Sequence, residues 1–334
     1  MKNYSLIIGI DISKLKLDVI GINYKSEIVN QHQTINNTKR TITSFFRKLI
    51  SKYGKENILF SFENTGVYGY YLIFILEKMN LDYCNLSALD VNKSKGIRRG
   101  KSDKLDALII AQYTLANSFR LDLSKHTELH LTKLKLLFSQ REKVVKTIKN
   151  FNNNKEAEQF LPNEILKEFS KSNKSIINNL KKNLKLIEDQ ISQIIDDNIS
   201  LKKDYDLIQS IPGVGPQTAC YILIVTKGFT IFDNARKLAC YAGVVPFPYQ
   251  SGSSIKGKNK VSYLADKKLK TLLNLCAMNA KKYDHQLKLY FEKKVNEGKN
   301  KMLILNNIRN KLLHRIFAVV KRQQPYINTH SYAN

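Results

Sequence analysis

Four carboxylates stand where they could act together on a phosphate. Asp103 and Asp106 lie three residues apart in Lys101-Ser-Asp-Lys-Leu-Asp106-Ala107, at the start of a helix-periodic run (Leu105, Leu108, Ile109, Gln112, Tyr113). Residues at i and i+3 share a helix face, so both can point into one space. Taken alone, the pair is also what a capping Asp followed by a solvated acidic residue would give. The basic approach Lys95, Arg98, Arg99 and Lys101 favours a bound cation meeting a phosphate. Asp11 lies near the end of the apolar run Ser5–Ile12, and Glu63 closes Asn57–Glu63. Open α/β sheets place their sites at such strand ends. Like charges about 4 Å apart repel by roughly 1 to 4 kcal/mol per pair, so four carboxylates together require a cation or protons. Hard oxygen donors and phosphate chemistry select Mg²⁺, with Mn²⁺ as a substitute.

Two further stretches carry chemistry. Leu207-Ile-Gln-Ser-Ile-Pro-Gly-Val-Gly-Pro-Gln-Thr-Ala219 reads as a helix-hairpin-helix. A short helix ends at Pro212, Gly213-Val214-Gly215 turns, and a second helix starts near Pro216. Such a turn lets backbone N–H groups grip a nucleic-acid backbone without reading its sequence. Tyr249–Lys260 reads as a small polar loop. Ser251, Ser253 and Ser254 offer hydroxyls there, Gly252 and Gly257 allow close approach, and Lys256 and Lys258 attract phosphate. A serine nucleophile needs a base or metal, and no His stands near in sequence. The loop chemistry does not choose among the three serines.

The elements that must position these residues are legible from periodicity. Strands are expected at Ser5–Ile12, Leu15–Ile22, Glu27–Thr34, Asn57–Glu63 and Leu81–Leu86, the first three as an antiparallel meander. Helices are expected around Ile42–Ile50, Tyr68–Met79 and Asp103–Ala116. The order βββαβαβα is the ribonuclease-H-like layout, an α/β domain with helices on both faces of a mixed sheet. From Leu134 to Phe151 and from Ile177 to Ile194, apolar residues keep a 3-4 spacing, with Arg141 at one seam position. This predicts coiled-coil helices, paired within the chain or with another subunit. Helical patterns return at Lys267–Lys281, Gln286–Val295 and Met302–Val320. The expected division is 1–120, 121–204 and 205–325, with a tail at 326–334.

The charge points to a partner. Fifty-five Lys and Arg against 28 Asp and Glu give a formal net charge of +27 over 334 residues. That excess suits a polyanion. No apolar run approaches a membrane span and the N-terminus shows no signal peptide, so the expectation is a cytoplasmic protein with no membrane partner. Four cysteines without a CxxC pair read as reduced, buried thiols.

In order, these residues resemble the DEDD-type insertion-sequence transposases that carry a second, serine-bearing domain. The matching stretches are Gly9-Ile-Asp11 with Lys14, Glu63-Asn-Thr-Gly-Val-Tyr68, Lys101–Ala107, Pro212–Ala219, and Ala242–Pro246 followed by Ser251-Gly252. The resemblance runs from about residue 5 to 323. It implies a RuvC-like domain, a coiled coil and a mainly helical C-terminal domain with a helix-hairpin-helix. It implies that Asp11, Glu63, Asp103 and Asp106 hold the metal. It implies that Ser251, in the position of the family's S-G pair, forms a covalent phosphoserine link, so that DNA is cut and rejoined through two composite sites. It also implies a structured noncoding guide RNA that pairs with donor and target DNA, while the 3-4 seam adds the expectation of a homo-oligomer, dimer or tetramer, built through the coiled coil. Two stretches depart from the family pattern: Ser102 stands for Thr, and Val261–Lys270 puts Tyr263 and Asp266 where a Lys and a Gly are usual. The rival readings are a non-catalytic or decayed nucleic-acid-binding protein and a phosphotransferase of the same fold. The latter would need Gly-rich phosphate loops that the first domain lacks.

Overall fold

The computed structural model describes residues 4–94, 102–124, 128–153, 160, 162–251 and 255–327. It divides into two compact units, Met1–His126 and Thr127–Asn334. Among the described residues no helix is long and apolar enough to cross a membrane.

The first unit is a five-stranded mixed sheet. Its strands are β1 (Leu6–Ile12), β2 (Lys16–Ile22), β3 (Ile28–Asn36), β4 (Ile58–Glu63) and β5 (Tyr83–Leu86), in the order β3-β2-β1-β4-β5. β1 and β2 pair antiparallel, as do β2 and β3, while β4 runs parallel to both β1 and β5. The three-strand meander and the mixed sheet match expectation. Alternation splits β1 between two cores. Leu6, Ile8, Ile10 and Ile12 pack with helices α1 (Lys39–Tyr53) and α2 (Tyr70–Lys78). Ile7 faces the other way, into a core shared with Leu59, Cys84, Ile109 and Ile110. Helix α3 (Ala88–Ser94), which periodicity did not indicate, precedes α4 (Asp103–Ala116). The α4 boundaries are the expected ones because Ser102 caps it, its side chain accepting from Leu105 N at 3.3 Å.

The second unit is mostly helical. Helices α5 (Leu129–Asn153) and α6 (Asn163–Asp196) form an antiparallel pair within the chain. Arg141 Nε donates to Glu188 Oε1 at 2.8 Å, which explains a charged residue at a seam position. Leu131, Leu134, Phe138, Ile187, Ile191 and Ile195 share one core with the helices that follow. These are α7 (Ile199–Gln209), α8 (Pro216–Thr226), α9 (Ala235–Tyr241), α10 (Lys267–Tyr283), α11 (His285–Asn296) and α12 (Lys301–Arg322). Phe138 meets Tyr221 of α8 at 5.1 Å between ring centroids.

Two local expectations change. The segment expected as a polar loop is a β-hairpin, β6 (Pro246–Ser251) and β7 (Ile255–Val261), with a register shift between Phe247 and Tyr249. Pro248 cannot donate to a ladder, which suits that irregularity. Ser251 and Gly257, both read as loop, lie on the paired strands. The helix expected to end at Pro212 ends at Gln209, and Ser210–Gly215 makes the connection.

Candidate active site

Residues around Gly9 seat α4 on the sheet. A Cβ at Gly9 would lie 2.1 Å from Ala107 O, 2.7 Å from Ala111 N and 2.9 Å from Ala111 Cβ. The helix backbone therefore rests directly on β1, an approach that only glycine against alanine permits. Asp11 lies two residues beyond Gly9 on the same face, and Asp106 immediately precedes Ala107. The small residues of the two motifs are thus what brings the first turn of α4 to the end of β1.

Register aligns further carboxylates with Asp11. Asp18 of β2 sits directly opposite it. On the parallel neighbour, Ile10 pairs with Phe62, so Asp11 and Glu63 are the next positions on adjacent strands. Neighbouring strands lie about 4.8 Å apart. Asp18, Asp11 and Glu63 therefore form a row on the α4 side of the sheet. Asp11, Glu63 and Asp106 are half-buried and Asp103 is exposed.

Asp18 and Lys16 were not indicated by sequence reasoning. The available signal was an acidic residue inside the apolar run Leu17-Asp-Val-Ile-Gly-Ile22. Asp18 is 2% exposed. It accepts from Thr34 Oγ1 at 2.6 Å and His32 Nε2 at 2.9 Å, and pairs with Lys16 Nζ at 3.1 Å. Burial alone would push its carboxyl up. The hydrogen bonds from Thr34, Lys16 and His32 and the Lys16 charge outweigh this and hold it below its ordinary value. Lys16 Nζ also donates to Asp103 Oδ2 at 2.5 Å. Those two bonds, Asp103 first, raise the ammonium above its usual value. One ammonium thus bridges a strand carboxylate and a helix carboxylate, as a cation at this edge would.

The donors are all oxygens from three elements, which fits a hard divalent cation. As they stand, no three His, Cys, Asp or Glu side chains among the described residues are gathered closely enough to hold one ion. Lys95, Arg98, Arg99 and Lys101 lie outside the described residues.

In the second unit, Gly213 has φ +90°, and a Cβ there would lie 2.6 Å from Ala280 N. It is pressed against α10, and Val214 is buried beside it. Gly215 caps α8, Pro216 follows at its first position, and a Cβ at Gly215 would meet open space. Ser251 is the last residue of β6, opposite Ile255. Lys256 and Lys258 lie on β7, while Gly252, Ser253 and Ser254 lie outside the described residues. At the hairpin's root, Asn306 Nδ2 donates to Val244 O at 2.7 Å. The departure at Asp266 has a structural account. Its Oδ1 accepts from Leu269 N at 2.8 Å to cap α10, and its Oδ2 accepts from Tyr221 OH at 2.9 Å. Tyr263 is exposed.

The four cysteines are free. Burial pushes the Cys84 thiol up to about 11 and that of Cys220 up to about 12, which keeps both inert.

Residues 8–158 match a family of DEDD IS110-type sequences described as "Transposase", and residues 205–292 match the "Transposase IS116/IS110/IS902 family". The chain is similar to the "Pilin gene-inverting protein" of Moraxella lacunata, 29% identical over 235 residues, which is 70% of each chain. The protein of the same name from Moraxella bovis is 28% identical over an equal span and an equal share of each chain. "Insertion element IS110 uncharacterized 43.6 kDa protein" of Streptomyces coelicolor is 29% identical over 115 residues, 34% of this chain and 28% of that one. Among solved structures, "T. thermophilus RuvC in complex with Holliday junction substrate" is similar over 36% of this chain and 100% of that chain. Its identity is 9% and its TM-score 0.29, a weak likeness.

Proposed function

The chain belongs to the IS116/IS110/IS902 family of transposases and is a DNA recombinase, and from that premise we propose how its residues divide the work. Asp11, Glu63, Asp103 and Asp106 hold a divalent cation, Mg²⁺ or Mn²⁺, with Asp18 and Lys16 fixing the edge around them. When bound, such a cation polarises the phosphoryl oxygens and stabilises the charge that develops on them. The observation that carries this reading is the packing of α4 on Gly9, which brings the first turn of α4 to the row Asp18, Asp11 and Glu63.

Ser251 supplies the nucleophile. Its Oγ gives up a proton and bonds to phosphorus as one bridging P–O bond of the strand breaks, and the leaving sugar oxygen takes up a proton. A hydroxyl of another strand then attacks the same phosphorus, releasing Ser251. Each step exchanges one phosphodiester for another, so rejoining needs no external energy source. The α7–α8 turn, a helix-hairpin-helix on this reading, holds the DNA backbone at Gly215. Lys256 and Lys258 approach the phosphates beside Ser251. The gene-inverting relatives make inversion of a DNA segment one outcome of such an exchange. A noncoding guide RNA and assembly of two or four copies through α5 and α6 complete the proposal, with action at DNA in the cytoplasm. The net charge of +27 suits RNA and DNA alike.

The test is a covalent adduct. Incubation with DNA and Mg²⁺ should leave a nucleotide on the peptide that contains Ser251, found by mass spectrometry and lost in Ser251→Ala. An adduct on Ser253 or Ser254 would move the nucleophile. Strand exchange by Ser251→Ala with no adduct would leave water as the attacking group.

A further inference from the structure

Helix α1 carries a feature that the carboxylate edge does not use. Lys39, Arg40, Arg47, Lys48 and Lys52, with the hydroxyls among them, line an open groove of about 830 Å³. The groove positions recur every four residues and face solvent, opposite buried Ile42, Phe45, Phe46 and Leu49. The helix contains no Asp or Glu over its 15 residues. A merely solvated face mixes signs, and like charges four apart, as at Lys48 and Lys52, destabilise a helix. Fold stability therefore gives no reason for this stripe.

Aromatic rings stand exposed at its start. Lys39 Nζ lies 5.4 Å from the Tyr71 ring centroid and 5.0 Å from that of Phe74. Tyr71 is 49% exposed and Phe74 48%. Asn37, just before α1, donates through Nδ2 to Ser13 O at 3.1 Å and to Tyr68 O at 3.0 Å. It ties the start of the stripe to the turn after β1 and to the segment between Glu63 and α2. The stripe thus begins at the strand-end edge that carries Asp11 and Glu63, and runs about 22 Å along α1.

We propose that α1 and the Tyr71–Phe74 lip bind an unpaired DNA strand, with phosphates along the stripe and bases stacked on the rings. The inference rests on the reading of this chain as a DNA-cutting enzyme. A duplex buries its base faces and offers these rings nothing, whereas a single strand presents both backbone charge and stacking surface. The strand leaves the carboxylate edge along α1.

The sequence contains no Trp, so Phe74→Trp places one indole at the lip. This reporter is introduced into the full chain carrying Asp11→Asn, which keeps the bound strand uncut. Indole emission should be quenched by oligothymidylate and not by the matching duplex at equal concentration. Tyr71→Ala in that background should weaken the response by roughly tenfold, the loss of one stacked base. Lys48→Gln with Lys52→Gln should lower the slope of log affinity against log salt by about 1.4. Circular dichroism checks folding, and anisotropy of a labelled strand repeats the Tyr71→Ala measurement without the indole. Unchanged emission while anisotropy reports strand binding would overturn the proposal. So would an equal response to duplex, or a response to oligouridylate tenfold tighter than to oligothymidylate. Cleavage by Asp11→Asn itself would sink the carboxylate reading instead, and leaves this readout intact.

Discussion

At the scale of single residues, Gly9 controls the carboxylate geometry although it carries no chemistry. A methyl there meets backbone atoms of α4 at 2.1 Å and 2.7 Å, which cannot rotate away. Gly9→Ala should lower stability by about 1–3 kcal/mol, as overpacking does, and should abolish DNA cleavage by lifting Asp103 and Asp106 off the sheet edge. Urea unfolding and a cleavage assay on the same preparation check this. Full activity would mean that α4 need not touch β1. Asp18 makes a prediction about pH. Its folded-state carboxyl is held below the ordinary 3.8. Its contribution is therefore fully present above that value and is lost as pH falls through the lower folded value. The urea-midpoint gap between wild type and Asp18→Asn should stay constant near neutrality and narrow only below the ordinary carboxylate range. A gap that widens on acidification would show the reverse linkage.

At the scale of elements, the α7–α8 connection separates two glycines that look alike in sequence. Gly213 is left-handed and packed on the α10 backbone, whereas Gly215 is extended with open space beside it. Gly213→Ala should unfold or strongly destabilise the second unit. Gly215→Val should leave the melting temperature nearly unchanged and weaken DNA binding, because it fills the space a phosphate would use. Equal loss of stability in both variants would place Gly215 in the core as well. The β6–β7 hairpin carries the same lesson. Ser251 ends a paired strand, so its backbone is set by the ladder before any partner binds.

At the scale of the whole molecule, the charge of +27 dominates. Each phosphate neutralised releases condensed counterions, so the affinity for DNA should fall by roughly 10³ to 10⁵ between low and physiological salt if six to ten phosphates are engaged. A titration of labelled DNA at several salt concentrations measures the slope. A flat line would mean that the charge does not meet a polyanion. Part of that charge lies on α1, which has no Asp or Glu among its 15 residues, and the strand site proposed there would add to the contacts proposed at the α7–α8 turn and the β6–β7 hairpin.

Sequence alone determined what depends on local pattern. Apolar runs with Asp11 near one end and Glu63 at the other's end became β1 and β4, and the cap at Ser102 set the start of α4. The mixed sheet and the helical remainder followed from the order of those patterns. Other features arose only from tertiary contact. Asp18 looked like one acidic residue in a strand until antiparallel pairing set it opposite Asp11. Lys16 joined the site because its long side chain spans from β2 to α4. The apolar seam of α5 and α6 showed a buried face but not its partners, since a 3-4 spacing packs equally well on one helix or several. Gly213 and Gly215 read alike because positive φ and a close neighbour are properties of the packed chain. Periodicity reports which side of an element is buried, and only the folded chain decides what lies against it.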